Sequence, residues 1–332
     1  MKALLSRQPG GPETLTLEEV PEPVPGHGEV RVAVRACGVN FPDVLVIRDL
    51  YQFKPPRPFA PGAEVSGVVD ALGEGVVNVA VGDRVLLCPA RSGMAEKAVG
   101  PAAQCWKIPD SMPFDMAAAL LMTYGTSQHA LQDRARLQAG ETLLVLGAGG
   151  GVGSAAVELG KAMGARVVAA ASSPAKLTLA REHGADATVQ YPVGPLDKAA
   201  ARALTDQFKE VCGPGGAQVI YDSVGGDYTE AALRAIGWEG RYLVVGFPAG
   251  IPKLPLNLTL LKGCQVIGVF WGEFARQFPS RHRENVAALM GLYLRGLIKP
   301  AVTARFPLSQ GAQALASLET RAAQGKVVVM VE

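Results

Sequence analysis

The 332-residue chain is short of the features that would place it in a special class. Its five cysteines, Cys37, Cys88, Cys105, Cys212 and Cys264, form no close pairs. This excludes a disulfide-stapled framework and leads us to expect reduced, mostly buried thiols in a cytoplasmic protein. Four histidines, His27, His129, His183 and His282, are spread out without ligand spacing and read as surface or helix-packing residues. Charged residues make up only 19%, too few for a disordered chain or a coiled coil. With 32 basic and 30 acidic side chains the net charge is +2, and nothing calls for a nucleic acid or an anionic membrane. No apolar run reaches the roughly 18 residues of a membrane helix, so no membrane insertion is expected. The apolar start Met1–Leu5 is too short for a signal peptide. There is no internal repeat and no low-complexity tract.

What is present is ample core material, with hydrophobic residues at 48%, and a length that suggests two domains. Residues 1–122 carry frequent glycine and proline, as in PGHGEV and PFAPGAEVSGVV, with short β-rich segments at 29–36, 64–69 and 84–88. A helical pattern begins near Phe114. Residues 140–270 alternate strand and helix, with strands expected at 142–147, 166–171, 186–190, 217–222, 241–246 and 264–270. Six such strands suit an open parallel sheet wound on both faces, an α/β fold. Residues 283–297 read as helix and 326–331 as a closing strand. The division expected is a β-rich domain of 1–122 plus 271–332 and an α/β domain of 123–270.

The most telling stretch is TLLVLGAGGGVGSAAVELGKAMGARVVAAASSPAK, residues 142–176. An apolar run meets the glycine cluster 147–153, then a helical pattern from Ser154 to Met163, then a second apolar run. Strand, glycine turn, helix and strand make the first βαβ unit of a dinucleotide fold, whose helix start offers N–H groups to a pyrophosphate. NAD-binding folds usually place an acid about 20 residues past the first glycine. Here Ala171, Ser172 and Ser173 stand there, and no acid occurs between Arg166 and Arg181. Ser173 and Pro174 read as N-cap and first helical position. Lys176 in that first turn is mildly disfavoured by the helix dipole unless an anion is nearby. The 2′-phosphate of NADPH is such an anion; a solvated surface lysine is the alternative.

Nearly end to end, the chain resembles the zinc-free quinone oxidoreductases of the medium-chain dehydrogenase/reductase superfamily, the zeta-crystallin group. The resemblance is carried in order by GEVRVAVRACGVNFPDVLVIRDLYQ, PFAPGAEVSGVV, AAALLMTYGTSQHAL, LVLGAGGGVGSAAVELGKAMGA, GADATVQY, VIYDSVGG, GFPAGIPKLPLN, VIGVFWG and GKVVV. It implies a GroES-like β-rich catalytic domain, a Rossmann doubly wound domain, NADPH, and a homodimer paired through the strand near 264–270. It aligns the Rossmann glycines with Gly150 and Gly153, with Ala148 in the first slot and Gly151 and Val152 between. Other registers, such as Gly147 with Gly149, stay open. Zinc-dependent relatives carry a cysteine where Asn40 stands and a histidine where Ala63 stands, so activity without metal is expected.

By the same resemblance Asn40 and Tyr51 are the candidate catalytic donors to a substrate carbonyl, with Asp43 orienting them. Thr126, Ser172, Lys176, Tyr191, Ser223, Phe247, Phe270, Trp271 and Lys326 are the candidate cofactor contacts, beside the glycine turn. The bland alternatives are a turn Asn, a half-buried Tyr, a cap hydroxyl at Thr126, core aromatics, and a solvated Lys326. The expected activity is NADPH-dependent reduction of quinones or related conjugated carbonyls by hydride transfer, the final proton coming from Tyr51 or water. The rivals are an enoyl-thioester or enone reductase of the same fold, and an NADPH-binding structural or regulatory protein.

Overall fold

The computed structural model describes residues 1–89, 92–320 and 323–332. The chain divides into two compact units, Met1–Met122 with Lys299–Glu332, and Thr123–Ile298. The stretch 271–298, expected in the first domain, therefore packs in the second. Its helices Trp271–Gln277 and Pro279–Leu294 are held there by Phe274 stacked on His129 at 4.0 Å and by Asn285 donating to Asp133 at 3.0 Å. An amphipathic helix shows in sequence that it needs a core, not which core.

The second unit is built on a six-stranded parallel sheet. Its order in space is Ala187–Gln190, Arg166–Ala171, Thr142–Leu146, Ala217–Asp222, Ile236–Val244, Gln265–Gly268. In sequence order that is 3-2-1-4-5-6, the dinucleotide-binding arrangement. Leu143, Leu144, Val145 and Leu146 are completely buried. At about 1.5–3 kcal/mol for each buried aliphatic side chain, such runs hold the sheet between its helix layers. The strand order reverses between Thr142–Leu146 and Ala217–Asp222, and ligands of such sheets sit outside the carboxyl ends at this switch point.

The first unit carries a seven-stranded sheet. Its path runs Val302–Pro307, Lys326–Met330, Glu29–Val39, Val65–Leu72, Arg84–Leu87, Cys105–Lys107, with Lys97–Pro101 also paired to Glu29–Val39. The terminal strand pairs antiparallel with Glu29–Val39, Val327 opposite Val39. This pairing brings Lys326 beside Asn40. The helical pattern begun at Phe114 is one α-turn, Phe114–Ala117, followed by π-helical stretches Leu121–Gly125 and His129–Arg134 flanking Thr126–Gln128.

Candidate active site

In the second unit the glycine turn is assembled by backbone alone. Gly147 follows the buried strand with φ +78°, the left-handed conformation that favours glycine. Gly147 and Ala148 N–H both donate to the Ala170 carbonyl at 3.0 Å. Gly150 is the extended N-cap of the helix Gly151–Ala162, and Ser154 N–H is bonded back to Gly150 O at 2.8 Å. Helix geometry leaves the N–H groups of Gly151, Val152 and Gly153 as the open donors of its first turn, with no acid among them. A methyl group at Gly153 would lie 2.0 Å from Gly147 O, whereas one at Gly150 would meet only that same oxygen, at 3.5 Å. Gly153 thus permits close packing of helix on strand, and Gly150 keeps the approach to the helix start open. The sharp turn itself is made by Gly147, a division of labour that the sequence left undecided.

Several expected contacts converge on this turn. Ser223 donates to Leu146 O at 2.9 Å, across the switch point. Ser127, next to the half-buried Thr126, donates to Val152 O at 2.9 Å, which pins that segment against the glycine helix. Ser173 accepts from Lys176 N–H at 3.4 Å as the N-cap of Pro174–Glu182, as the sequence suggested, with Ser172 half-buried beside it. The stem of Lys176 lies on Gly149 so closely that a methyl group there would stand 2.4 Å from its Cβ. Lys176 therefore runs along the glycine turn and is not a freely solvated lysine.

The aromatics divide. Phe270 and Phe247 are exposed, at 54% and 44%. Trp271 is only 8% exposed, sets its ring edge-on to His282 at 5.3 Å, and leaves room only for glycine at position 125. Tyr191 is buried with its ring tilted on Tyr228 at 4.8 Å. Both rings thus pack against a neighbouring ring of the same unit. Sequence reading also missed Asp222. Its carboxylate accepts from the N–H groups of Val224 and Gly225 at 2.8 and 2.9 Å, from Thr229 at 2.8 Å and from Tyr242 at 2.6 Å. It shapes the turn that aims Ser223. An aspartate at a strand end ahead of Ser-Val-Gly-Gly is an Asx-turn signal that could have found it.

The first unit holds the other candidate cluster. Asn40 is 8% exposed and Lys326 4%. Lys326 Nζ donates to Asn40 Oδ1 at 2.5 Å and to Glu64 Oε1 at 2.5 Å. Asn40 Nδ2 donates to Glu64 Oε1 at 3.0 Å and to Gly38 O at 3.3 Å. Glu64 Oε2 accepts from Met122 N–H at 2.9 Å, and Asp43 accepts from the N–H groups of Asn40 and Gly62 at 2.8 and 3.2 Å.

Two expectations change here. The amide of Asn40 is committed inside this network, so Asn40 braces the cluster and is not a free donor to a carbonyl. Lys326 is neither solvated nor a phosphate ligand; its charge is closed by a buried carboxylate. Tyr51 keeps its expected character. It is half-buried, and burial together with the nearby Asp43 charge raises its phenol, which stays a proton-bearing donor at neutral pH. Asp43 is raised to about 6, chiefly by burial, against the pull of its backbone bonds and of Lys326.

The dehydrogenase models "Alcohol dehydrogenase GroES-like domain" and "Zinc-binding dehydrogenase" match residues 26–110 and 151–289. The quinone oxidoreductase-like protein 2 homolog of Nematostella vectensis is 40% identical over 308 residues, 92% of this chain and 82% of that protein. The chain belongs to the quinone oxidoreductase group of the medium-chain dehydrogenase/reductase superfamily. Solved members of the superfamily superpose over the whole chain. Mycobacterial Rv1454c complexed with NADPH gives a TM-score of 0.91 at 30% identity, covering 99% of each chain. Escherichia coli quinone oxidoreductase complexed with NADPH gives 0.90 at 27% identity, covering 99% of this chain and 100% of that one.

The zinc in one model's description finds no matching donor set in this member of the superfamily. Zinc needs several N or S donors converging. Among the described residues no group of three His, Cys, Asp or Glu side chains is arranged so that it could hold a metal ion. Asp43 and Glu64 already accept from backbone N–H groups and, for Glu64, from the Lys326 ammonium. The five cysteines are all free, as expected. No helix among the described residues is long and apolar enough to cross a membrane.

Proposed function

We propose that the protein is an NADPH-dependent, zinc-independent reductase of quinones or related conjugated carbonyls. The observation that carries this reading is the glycine turn with Lys176 laid along Gly149 and no acid after the second strand. The open N–H groups of the helix start would take the pyrophosphate and Lys176 the 2′-phosphate. NADPH, when bound, supplies a hydride from nicotinamide C4. Ser223, Thr126 and the exposed rings of Phe247 and Phe270 would border the cofactor. Tyr51 would donate a hydrogen bond to the carbonyl oxygen as negative charge grows there. The test is NADPH oxidation against a panel of quinones, enones and an enoyl-CoA. Turnover confined to quinones and enones supports the reading. Turnover of enoyl-CoA alone favours the thioester rival, and none with any acceptor favours a binding protein.

Tyr51→Phe removes the proposed donor with little change of shape. One preorganised donor is worth up to about 3 kcal/mol; at a half-buried position about 1–2 kcal/mol is expected, a five- to thirty-fold fall in kcat. The Kd for NADPH should stay as in wild type. An unchanged kcat would remove Tyr51 from the reaction.

A homodimer is the assembly we propose. The strand Gln265–Gly268 lies at the edge of its sheet, with Val266 exposed and Leu256, Leu260 and Leu261 of the preceding helix exposed too. An open apolar edge invites pairing with a second copy. Light scattering at micromolar concentration should give twice the chain mass of 34.6 kDa; a monomer would refute the pairing.

A further inference from the structure

The buried cluster around Lys326 is unusual in charge. Two carboxylates, Asp43 and Glu64, and one ammonium are almost sealed from water within the first unit. Removing an ion from water is costly unless each partner is well bonded, and here each is. Lys326 arrives from a strand 262 residues away in sequence from Glu64, and it bonds Glu64 and Asn40 together. Asn40 in turn opens the helix Phe41–Ile47, whose third residue Asp43 reaches back to Asn40 N–H and across to Gly62 N–H. That helix leads directly into the segment bearing Tyr51.

We propose that Lys326 is a positioning residue for the reduction: its ammonium, held between Asn40 and Glu64, locks the Asn40–Asp43 turn and so fixes the place of Tyr51. This inference rests on the proposed role of Tyr51. Lys326 acts through two links. It orients the Asn40 side chain, and its charge favours the ionised form of Asp43, which is the form that accepts both backbone N–H bonds. The titratable groups facing Asp43 are Cys37 on the strand Glu29–Val39, Tyr51, Glu64 and Lys326. The thiol and the phenol are neutral at physiological pH. Glu64 opposes ionisation of Asp43 and Lys326 is the one of the four that favours it.

The experiment compares wild type with Lys326→Met, Lys326→Arg and the double variant E64Q/K326M. Steady-state rates with NADPH and 1,4-benzoquinone are taken across pH 5–9. Misplacing a reacting donor by a fraction of an ångström to an ångström commonly costs one to two orders of magnitude. Lys326→Met should therefore lower kcat roughly tenfold or more, with KM for NADPH nearly unchanged. The acid limb of kcat, set by Asp43, should move up by about one pH unit as the neighbouring cation is lost. Lys326→Arg keeps the charge and should keep the limb in its wild-type place.

The double variant removes the unpaired carboxylate that could unfold the single one, and it should still turn over slowly because Asn40 is no longer tied. If E64Q/K326M recovers wild-type kcat, Lys326 merely neutralises Glu64 and the proposal falls. A lower kcat with an unmoved acid limb in Lys326→Met would also overturn it. Should wild type itself give no turnover, the proposed function fails on its own. The Asp43 carboxyl titration, followed by carbon NMR, then reads this inference separately. An upward shift in Lys326→Met is expected, and an unshifted titration overturns it.

Discussion

Lys176→Ala is expected to weaken NADPH about tenfold while leaving NADH nearly untouched. A charge-assisted hydrogen bond to phosphate contributes roughly 1.5–3 kcal/mol. Lys176 is half-buried, so solvent screens part of that, and the lower end, about tenfold in Kd, is the figure to expect. The base of the side chain, Cβ and Cγ, lies against Gly149, which roots Lys176 beside the glycine turn. No carboxylate follows the second strand to repel a phosphate or to hold a bare ribose. The measurement is a pair of Kd values for each cofactor in wild type and variant. Equal losses for both cofactors would mean that Lys176 supports the turn and does not read the phosphate.

Gly153→Ala should damage the protein far more than Gly150→Ala. The added methyl at 153 would lie 2.0 Å from the Gly147 carbonyl oxygen, a backbone atom that cannot swing aside. Helix and strand must separate, and overpacking of this kind costs about 3 kcal/mol, a loss of several degrees in Tm. At 150 the backbone is extended and the methyl meets nothing nearer than 3.5 Å, so folding should be unaffected. That methyl would occupy the space over the helix start, and the Kd for NADPH should rise. Thermal melts and cofactor titrations of the two variants separate the two roles. A Gly153→Ala protein as stable as wild type would contradict the close packing described.

The parts that could be read from sequence are those whose signals are local. Buried strands show as unbroken apolar runs, Ser173-Pro174 marks a helix start, and a glycine cluster between strand and helix has few other uses. What escaped reading depends on long-range pairing. Nothing near Lys326 in the chain announces that it meets Glu64 and Asn40; only the antiparallel pairing of the first and last long strands brings them together. Asn40 looked like a free donor because the partners that saturate its amide are likewise remote. Trp271 and Tyr191 follow strand ends, where a ring can face a ligand or the core, and their neighbours His282 and Tyr228 are remote in sequence and so could not be read from it. The helices of 271–298 were given to the wrong unit because their apolar faces name no partner.

The thiols take on a further meaning if conjugated carbonyls are the substrates. Such compounds alkylate thiolates, and a reductase that handles them is exposed to its own substrates. Burial raises every one of the five cysteines above its ordinary value, Cys212 to about 11 and Cys105 to about 12. A thiol near 11 is ionised at pH 7 in only about one molecule in ten thousand. The same packing that buries Cys105 and Cys212 in the two cores thus leaves almost no thiolate on them for an electrophilic substrate to capture, a form of chemical self-protection built from nothing more than the exclusion of water.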